Sequence, residues 1–366
     1  MNKRTGILTF HRALSYGAML QAYALQNSLF ELGIDNEIID YNCEYMVNHY
    51  QKAIRPIKGN PVKGIVWNLL TASGIKKECK TRTEFVNAHL KLSKPYTKKN
   101  ISEAADEYGA IITGSDQVWS PTCVGFDPVY FLTFARPEQK FSYAASIASK
   151  AIPENLKEEF ASRISDFSGY SLREQSGARL VKELVGKDAL VNIDPTLLLT
   201  KEKWDKLAVN TIEEPYIFLF TVLKPRKLID FAVKLGKKKK MKVIYLNKLQ
   251  YKKYDGVEYM DSVTADKFVG LIKNASYVCT NSFHGTAFSV IYHKNFIVET
   301  ETASSRNIRS EELLNTLKLD SRILSDNGCP DIDEQSDWDF VDKAIDVERQ
   351  KSFSYLKQIC KSDSKE

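Results

Sequence analysis

Ala275-Ser276-Tyr277-Val278-Cys279-Thr280-Asn281-Ser282-Phe283-His284-Gly285-Thr286-Ala287-Phe288-Ser289-Val290-Ile291-Tyr292 changes character twice. Tyr277 to Thr280 is a short apolar run of the kind that fills a buried parallel strand. Asn281-Ser282 breaks it. From Gly285 onward Ala287, Phe288, Ile291 and Tyr292 fall at helical spacing. The stretch therefore predicts a strand, a tight turn and a helix start with a histidine at the junction. Such a junction aims backbone N–H groups and the positive end of a helix dipole at one point, which suits an anion. A histidine there can donate or relay a proton near neutral pH. Its plainer meaning is a core histidine or a cap.

Worked outward from this unit, the chain repeats the pattern. Gly6 to Phe10 reads as an opening strand. A helix from about Gly17 to Leu32 follows, with Gly33 as a left-handed stop, and Glu37 to Tyr41 is the next strand. This strand–helix–strand unit begins a Rossmann-like sheet. No GxGxxG follows the first strand, which argues against a dinucleotide cofactor. Ala110 to Thr113 is a third strand, ending in Gly114-Ser115-Asp116-Gln117-Val118-Trp119. Further α/β units run through Phe141–Ile147, Gly169–Leu172 and Leu190–Ile193. Tyr216 to Val222 restarts the pattern, and strands at Met241–Leu246 and Asn295–Val298 flank the opening stretch. A last helix runs from Trp338 to about Cys360. The expected architecture is α/β: two Rossmann-like domains, 1–200 and 201–335, with residues 336–366 returning towards the first.

At 366 residues the chain exceeds the size of a single growing core, so two domains are the default. A composition 43% hydrophobic and 27% charged is that of a soluble globular protein. The six cysteines are scattered and form no metal-ligand spacing or disulfide framework. No signal peptide or bilayer-length apolar run is visible, which predicts a cytoplasmic location. The net charge of +6 is uneven: residues 51–100 hold twelve Lys/Arg against Glu78 and Glu84. Such a basic segment implies an anionic neighbour. Within it Pro61 to Ile75 carries an apolar stripe that includes Trp67, flanked by Lys63, Lys76 and Lys77. It reads as a surface helix packed on the first domain. The alternative is a helix in contact with anionic lipid at the inner face of the membrane.

Six motifs stand in order: Ser15 to Leu25, Gly114 to Trp119, Ser142-Tyr143-Ala144-Ala145-Ser146, Ser171-Leu172-Arg173-Glu174, Asp194-Pro195-Thr196 and Ser282-Phe283-His284-Gly285. Together they resemble the polysaccharide pyruvyl transferase family over nearly the whole chain. The resemblance implies a GT-B-like fold with the active site in a cleft between the halves. It implies phosphoenolpyruvate as donor, the sugar of a capsular, exopolysaccharide or cell-wall precursor as acceptor, and a pyruvate ketal as product. A lipid-linked oligosaccharide is the acceptor form to test first. No metal and no nicotinamide is implied. Ser15 stands where many members have asparagine. Ser282 stands where some carry an arginine two residues before the site histidine.

Ketal formation requires a phosphate trianion to be held, a proton delivered and charge on the departing phosphate stabilised. His284 is the first candidate, as proton donor or phosphate ligand, with the Gly285 and Thr286 N–H groups and the Ser282 hydroxyl on the phosphate oxygens. Arg173 can grip the donor in a bidentate way, or simply pair with Glu174. Arg306 and Arg309 are candidates for the charge absent at Ser282. Asp116 can act as base on an acceptor hydroxyl, or cap a following helix. Asp194-Pro195 reads as a structural turn. His11, Tyr16 and Gln117, at strand ends of the first half, are candidates for acceptor contact. Two other functions compete. A nucleotide-sugar glycosyltransferase would use the same kind of helix-end phosphate site. A nucleic-acid-binding module would use the basic segment, but that segment lacks interleaved aromatic platforms and no helix-turn-helix or zinc motif is present.

Overall fold

The computed structural model describes residues 4–46, 61–247, 253–300, 308–325 and 330–361. The chain forms two compact units. The first comprises Met1–Tyr50, Val86–Leu199 and Ile345–Glu366, and the second Gln51–Phe85 and Thr200–Ala344.

In the first unit β1 (Thr5–Leu8), β2 (Asn36–Tyr41), β3 (Leu92–Tyr96), β4 (Ala110–Thr113) and β5 (Lys140–Ser142) form one sheet of order β3-β2-β1-β4-β5. Every pairing is parallel. Bridges Phe141↔Gly169 and Ala145↔Leu172 extend it to the parallel pair β6 (Ser171–Leu172) and β7 (Leu190–Val191). In the second unit β8 (Tyr216–Phe220), β9 (Lys242–Leu246), β10 (Val257–Met260), β11 (Tyr277–Thr280), β12 (Asn295–Glu299) and β13 (Ile323–Leu324) take the order β10-β9-β8-β11-β12-β13, again all parallel. Both orders are those of a Rossmann-like half, in which the third strand, then the second, first and fourth follow one another. The α/β class with two Rossmann-like units is as read from the sequence.

The central strands are apolar along their length because helices cover both faces. All five residues of β8 and all four of β11 are buried. The helix Tyr16–Glu31 stops at Gly33, whose φ of 75° is open to glycine without steric cost. Sequence reading missed β3, β10 and β13. The first two are sheet edges with partly exposed residues, and β3 carries Lys94 and Pro95. Lysine and proline are what edge strands use against unwanted pairing, and they hide the strand signal.

Two helices are divided between the units, the second of them as expected. The basic segment does not all belong to the first half: helix Pro61–His89 is continuous, yet residues up to Phe85 belong to the second unit. There Lys77 Nζ lies 3.2 Å from Asp261 Oδ2. Residues 51–60 of that segment lie outside the described residues. The helix Trp338–Lys361 is likewise shared. Its start stays in the second unit, where Trp338 stacks on His293 at 4.6 Å. Its later turns join the first, through Arg349 Nε to Leu197 O (3.0 Å), Asn192 Nδ2 to Ser352 Oγ (3.2 Å) and Tyr355 Oη to Ser142 O (2.9 Å). Among the described residues no helix is long and apolar enough to cross a membrane.

Candidate active site

In each sheet the strand order reverses between the first and fourth strands, and open α/β sheets bind ligands at the carboxyl ends of those strands. Among the described residues, His284 and Ser282 lie at the reversal point of the second sheet and Asp116 and Gln117 at that of the first.

In the second unit this point lies between β8 and β11. The helix after β11 runs Phe283–Ile291, two residues earlier than the periodicity of its apolar residues predicts, because Ser282 caps it. Ser282 Oγ accepts from Gly285 N at 3.4 Å, and its carbonyl accepts from Thr286 N at 2.9 Å and Thr286 Oγ1 at 3.0 Å. The Gly285 and Thr286 amides expected to face a phosphate are thus engaged within the turn. The Gly285 bond is long for its kind, so an incoming anion competes against a weak acceptor there. A Cβ at Gly285 would meet Thr280 Oγ1 at 2.4 Å, so only glycine lets the helix sit this close to its strand. Thr280 Oγ1 in turn donates to Phe220 O (2.8 Å) and accepts from Ser282 N (3.1 Å). Asn281 ties the turn to the loop after β8: its Oδ1 accepts from Val222 N at 2.8 Å and its Nδ2 donates to Leu223 O at 3.0 Å.

His284 is 7% exposed, its ring edge-on to Phe283 at 5.1 Å. The Arg309 guanidinium lies over the other partner of that pair, 5.5 Å from the Phe283 ring centre. Among the described residues of this unit, Arg309 is the candidate for the place of the absent arginine that lies against the histidine turn. Arg173 belongs to the first unit, and Arg306 lies outside the described residues.

In the first unit the reversal point lies between β1 and β4. Gly114 has a φ of 118°, and a Cβ there would strike Tyr143 O at 2.4 Å, so the chain after β4 passes hard against that after β5. Ser115 is held from three sides. Its N–H donates to Gln21 Oε1 (3.1 Å), its carbonyl accepts from Thr9 Oγ1 (3.0 Å) and its hydroxyl donates to Ala144 O (2.7 Å). Gln21 Nε2 closes the ring on Thr9 Oγ1 at 2.8 Å. Into this network comes Arg173, its side chain 3% exposed. Its Nη2 donates to Ser115 Oγ at 2.7 Å and lies 3.1 Å from Asp194 Oδ2 and 3.8 Å from Asp116 Oδ1.

Several expectations are corrected here. Arg173 does not pair with Glu174: that carboxylate turns the other way and accepts from Ser146 Oγ, Ile147 N and Ala148 N at 2.8–3.0 Å. Asp194 is more than a turn residue. One oxygen caps Thr196 (N at 2.9 Å, Oγ1 at 2.6 Å) while the other faces Arg173. Asp116 caps no helix; its φ is 74° and its carbonyl accepts from Val118 N and Ser146 N. Its carboxylate and the Gln117 side chain keep partial exposure at the strand end. Tyr16 is buried as the first residue of its helix. His11 is 1% exposed, with Nδ1 3.1 Å from Thr9 O and Nε2 3.0 Å from Asp40 Oδ1, so both ring nitrogens serve internal bonds rather than an acceptor sugar. Arg12 also grips Asp40, through Nε at 2.5 Å and Nη2 at 2.6 Å. Burial pushes the Asp40 carboxyl up, but the hydrogen bonds from His11 and Arg12 outweigh it and hold the group well below the usual carboxylate range.

Sequence reasoning missed Thr9, Gln21, Ser115 and the second role of Asp194. One signal was available: a buried arginine needs a compensating carboxylate, and Asp194 follows the next strand. Among the described residues no group of three or more His, Cys, Asp or Glu side chains is placed to hold a metal ion.

Two parallel sheets of Rossmann-like order, each with polar residues at its own reversal point, define an α/β protein of Rossmann-like class. The family model for polysaccharide pyruvyl transferase matches residues 16–300, and the chain belongs to that family, one of transferases acting on polysaccharides. No curated protein matches the chain. Among solved structures it is similar to the UDP-GlcNAc 2-epimerase of Methanocaldococcus jannaschii, in complex with UDP-GlcNAc and UDP. That match has 12% identity and a TM-score of 0.46 and covers 98% of this chain and 99% of the other. It is similar also to a putative UDP-N-acetylglucosamine 2-epimerase from Listeria monocytogenes, at 10% identity and TM-score 0.49, over 97% and 91% of the two chains. The glycosyltransferase SsfS6 of Streptomyces sp. SF2575, complexed with thymidine diphosphate, matches at 11% identity and TM-score 0.45, over 98% and 99%.

Proposed function

We propose that the protein moves the pyruvyl group of phosphoenolpyruvate onto a sugar of a surface-polysaccharide precursor, bridging two hydroxyls as a pyruvate ketal. The observation that carries this reading is His284, at a capped helix start on the reversal point of its own sheet, in a member of this family. Protonation of the methylene carbon makes C2 of the donor electrophilic. A sugar hydroxyl adds to it, inorganic phosphate leaves, and the second hydroxyl closes the ring. His284 supplies the proton or, as phosphate ligand, steadies the leaving group. Arg309, against Phe283, offers the charge that Ser282 lacks. Asp116 takes the proton of the attacking hydroxyl, with Arg173 holding it in place, and Gln117 contacts the sugar. The acceptor is a lipid-linked oligosaccharide at the inner face of the membrane, with the basic segment 51–100 against anionic lipid.

The test is incubation of the protein with labelled phosphoenolpyruvate and lipid-linked oligosaccharide fractions, followed by mass analysis. Label is expected in the oligosaccharide with one phosphate released per ketal, and His284→Ala should abolish transfer while melting like the wild type. Wild-type turnover in that variant, with normal donor saturation, removes the histidine from the mechanism. Stabilisation by nucleotide sugars and none by phosphoenolpyruvate replaces the reading with a glycosyltransferase.

A further inference from the structure

The second sheet has another helix start at its reversal point, and the chain fills it with an anion of its own. The helix Leu228–Lys239 follows β8, the first strand. In a sheet of this order that helix start is where a dinucleotide's pyrophosphate rests on backbone N–H groups. Here those donors meet Glu299, the last residue of β12, which is 5% exposed. Arg226 N donates to both its carboxylate oxygens (3.2 and 3.1 Å), and Lys227 N and Leu228 N donate to Oε1 at 2.5 and 3.0 Å. The loop that leads in, Thr221 to Lys227, contains Pro225 and no glycine. A phosphate cradle uses glycines so that backbone can close on the ligand. The front of the same loop is tied down independently by Asn281, through Val222 N and Leu223 O. A diphosphate arriving here meets a buried carboxylate of like charge on the amides it needs. At the neighbouring turn, the His284 helix is capped by the neutral Ser282 hydroxyl through a 3.4 Å bond.

We propose that Glu299 is a specificity-determining residue: its carboxylate closes the nucleotide-diphosphate position of the second unit and leaves the His284 turn as the place for a compact phosphate ester. The closure stands on the Glu299 geometry alone. The identity of the favoured ester rests on the function proposed above.

Isothermal titration with inorganic pyrophosphate and with UDP tests it, on the full-length chain with Glu299 intact, on Glu299→Ala and on Glu299→Gln. Any binding of either probe with Glu299 intact, or in Glu299→Gln, whose side chain still fills the position, should be confined to the His284 turn and be lost in His284→Ala. Glu299→Ala should bind pyrophosphate about tenfold or more tightly than the parent, since the three amides then lack their carboxylate acceptor. A folded Glu299→Ala with no such gain overturns the proposal. So does saturable binding of either probe that persists in His284→Ala with Glu299 intact, an arm that needs no Glu299 variant to fold. Glu299→Ser gives a second opened position if the alanine variant does not fold. A parallel titration with phosphoenolpyruvate separates the two ideas. Its failure in the wild type counts against the donor assignment, whereas a pyrophosphate gain confined to Glu299→Ala upholds the closure.

Discussion

Gly285→Ala places one methyl group where the structure leaves no room for it. The new Cβ would lie 2.4 Å from Thr280 Oγ1, 3.1 Å from Thr280 Cβ and 3.2 Å from Thr280 Cγ2. A rotation that puts the threonine's Cβ hydrogen there would break both bonds of its hydroxyl and still leave Thr280 Cβ at 3.1 Å. The helix must lift, or β11 must shift. Overpacking of this kind costs about 1–3 kcal/mol. The Thr280 hydroxyl also risks its bonds to Phe220 O and from Ser282 N, worth about 1 kcal/mol each. Against this, alanine gains about 0.5–1 kcal/mol over glycine in a helix. The net expectation is a loss of about 2–4 kcal/mol. Urea unfolding should show it in the transition of the second unit, reported by Trp204, which packs edge-on to Phe288 of the same helix at 4.8 Å. The decisive measurement is a double-mutant cycle with Thr280→Ala, which removes both γ atoms. In that background Gly285→Ala should cost at least about 1 kcal/mol less. An equal cost in both backgrounds, or a variant as stable as the wild type, refutes the claim that this glycine exists to seat the histidine helix on its strand.

Two further substitutions test the first unit. Arg173→Lys keeps the charge but loses the rigid guanidinium plane that aims Nη2 at both Ser115 Oγ and Asp194 Oδ2. The loss should be about 2–3 kcal/mol of stability, with the acceptor Michaelis constant rising more than that of the donor. An unchanged acceptor constant makes the arginine purely structural. Asp40→Asn removes the carboxylate shared by His11 and Arg12 and should cost about 2–4 kcal/mol near neutral pH. Because the folded state holds Asp40 below its unfolded range, its contribution is complete above that range and is lost as pH falls. The stability gap between variant and wild type should thus be flat above about pH 5 and shrink below about pH 4. A gap that widens in acid contradicts the direction of that shift.

Much of the local structure was present in the residue pattern. Tyr277–Thr280 and Ala110–Thr113 were bounded as observed because a strand covered on both faces is apolar throughout and stops where polar turn residues begin. The edge strand Leu92–Tyr96 was not visible, since its exposed residues are chosen against pairing rather than for burial. The described part of the basic segment up to Phe85 groups with the second unit rather than the first, because a continuous helix carries no mark in its sequence where its partners change. The site divided in the same way. His284 and its cap could be placed from neighbours in the chain, as helix starts are local chemistry.

The amino-acid order alone determined the two parallel α/β units, the histidine turn and the positions of the candidate polar residues, all of which depend on periodicities and contacts a few residues long. Only the tertiary structure decided which charge answers which. Arg173 meets Ser115 across 58 positions rather than adjacent Glu174, His11 turns to Asp40 across 29, and Glu299 reaches the amide of Arg226 across 73. The physical reason is that a buried charge is stabilised by whatever acceptor or donor the strand ends bring into hydrogen-bonding range. That range is set by strand order, and strand order is a property of the whole sheet.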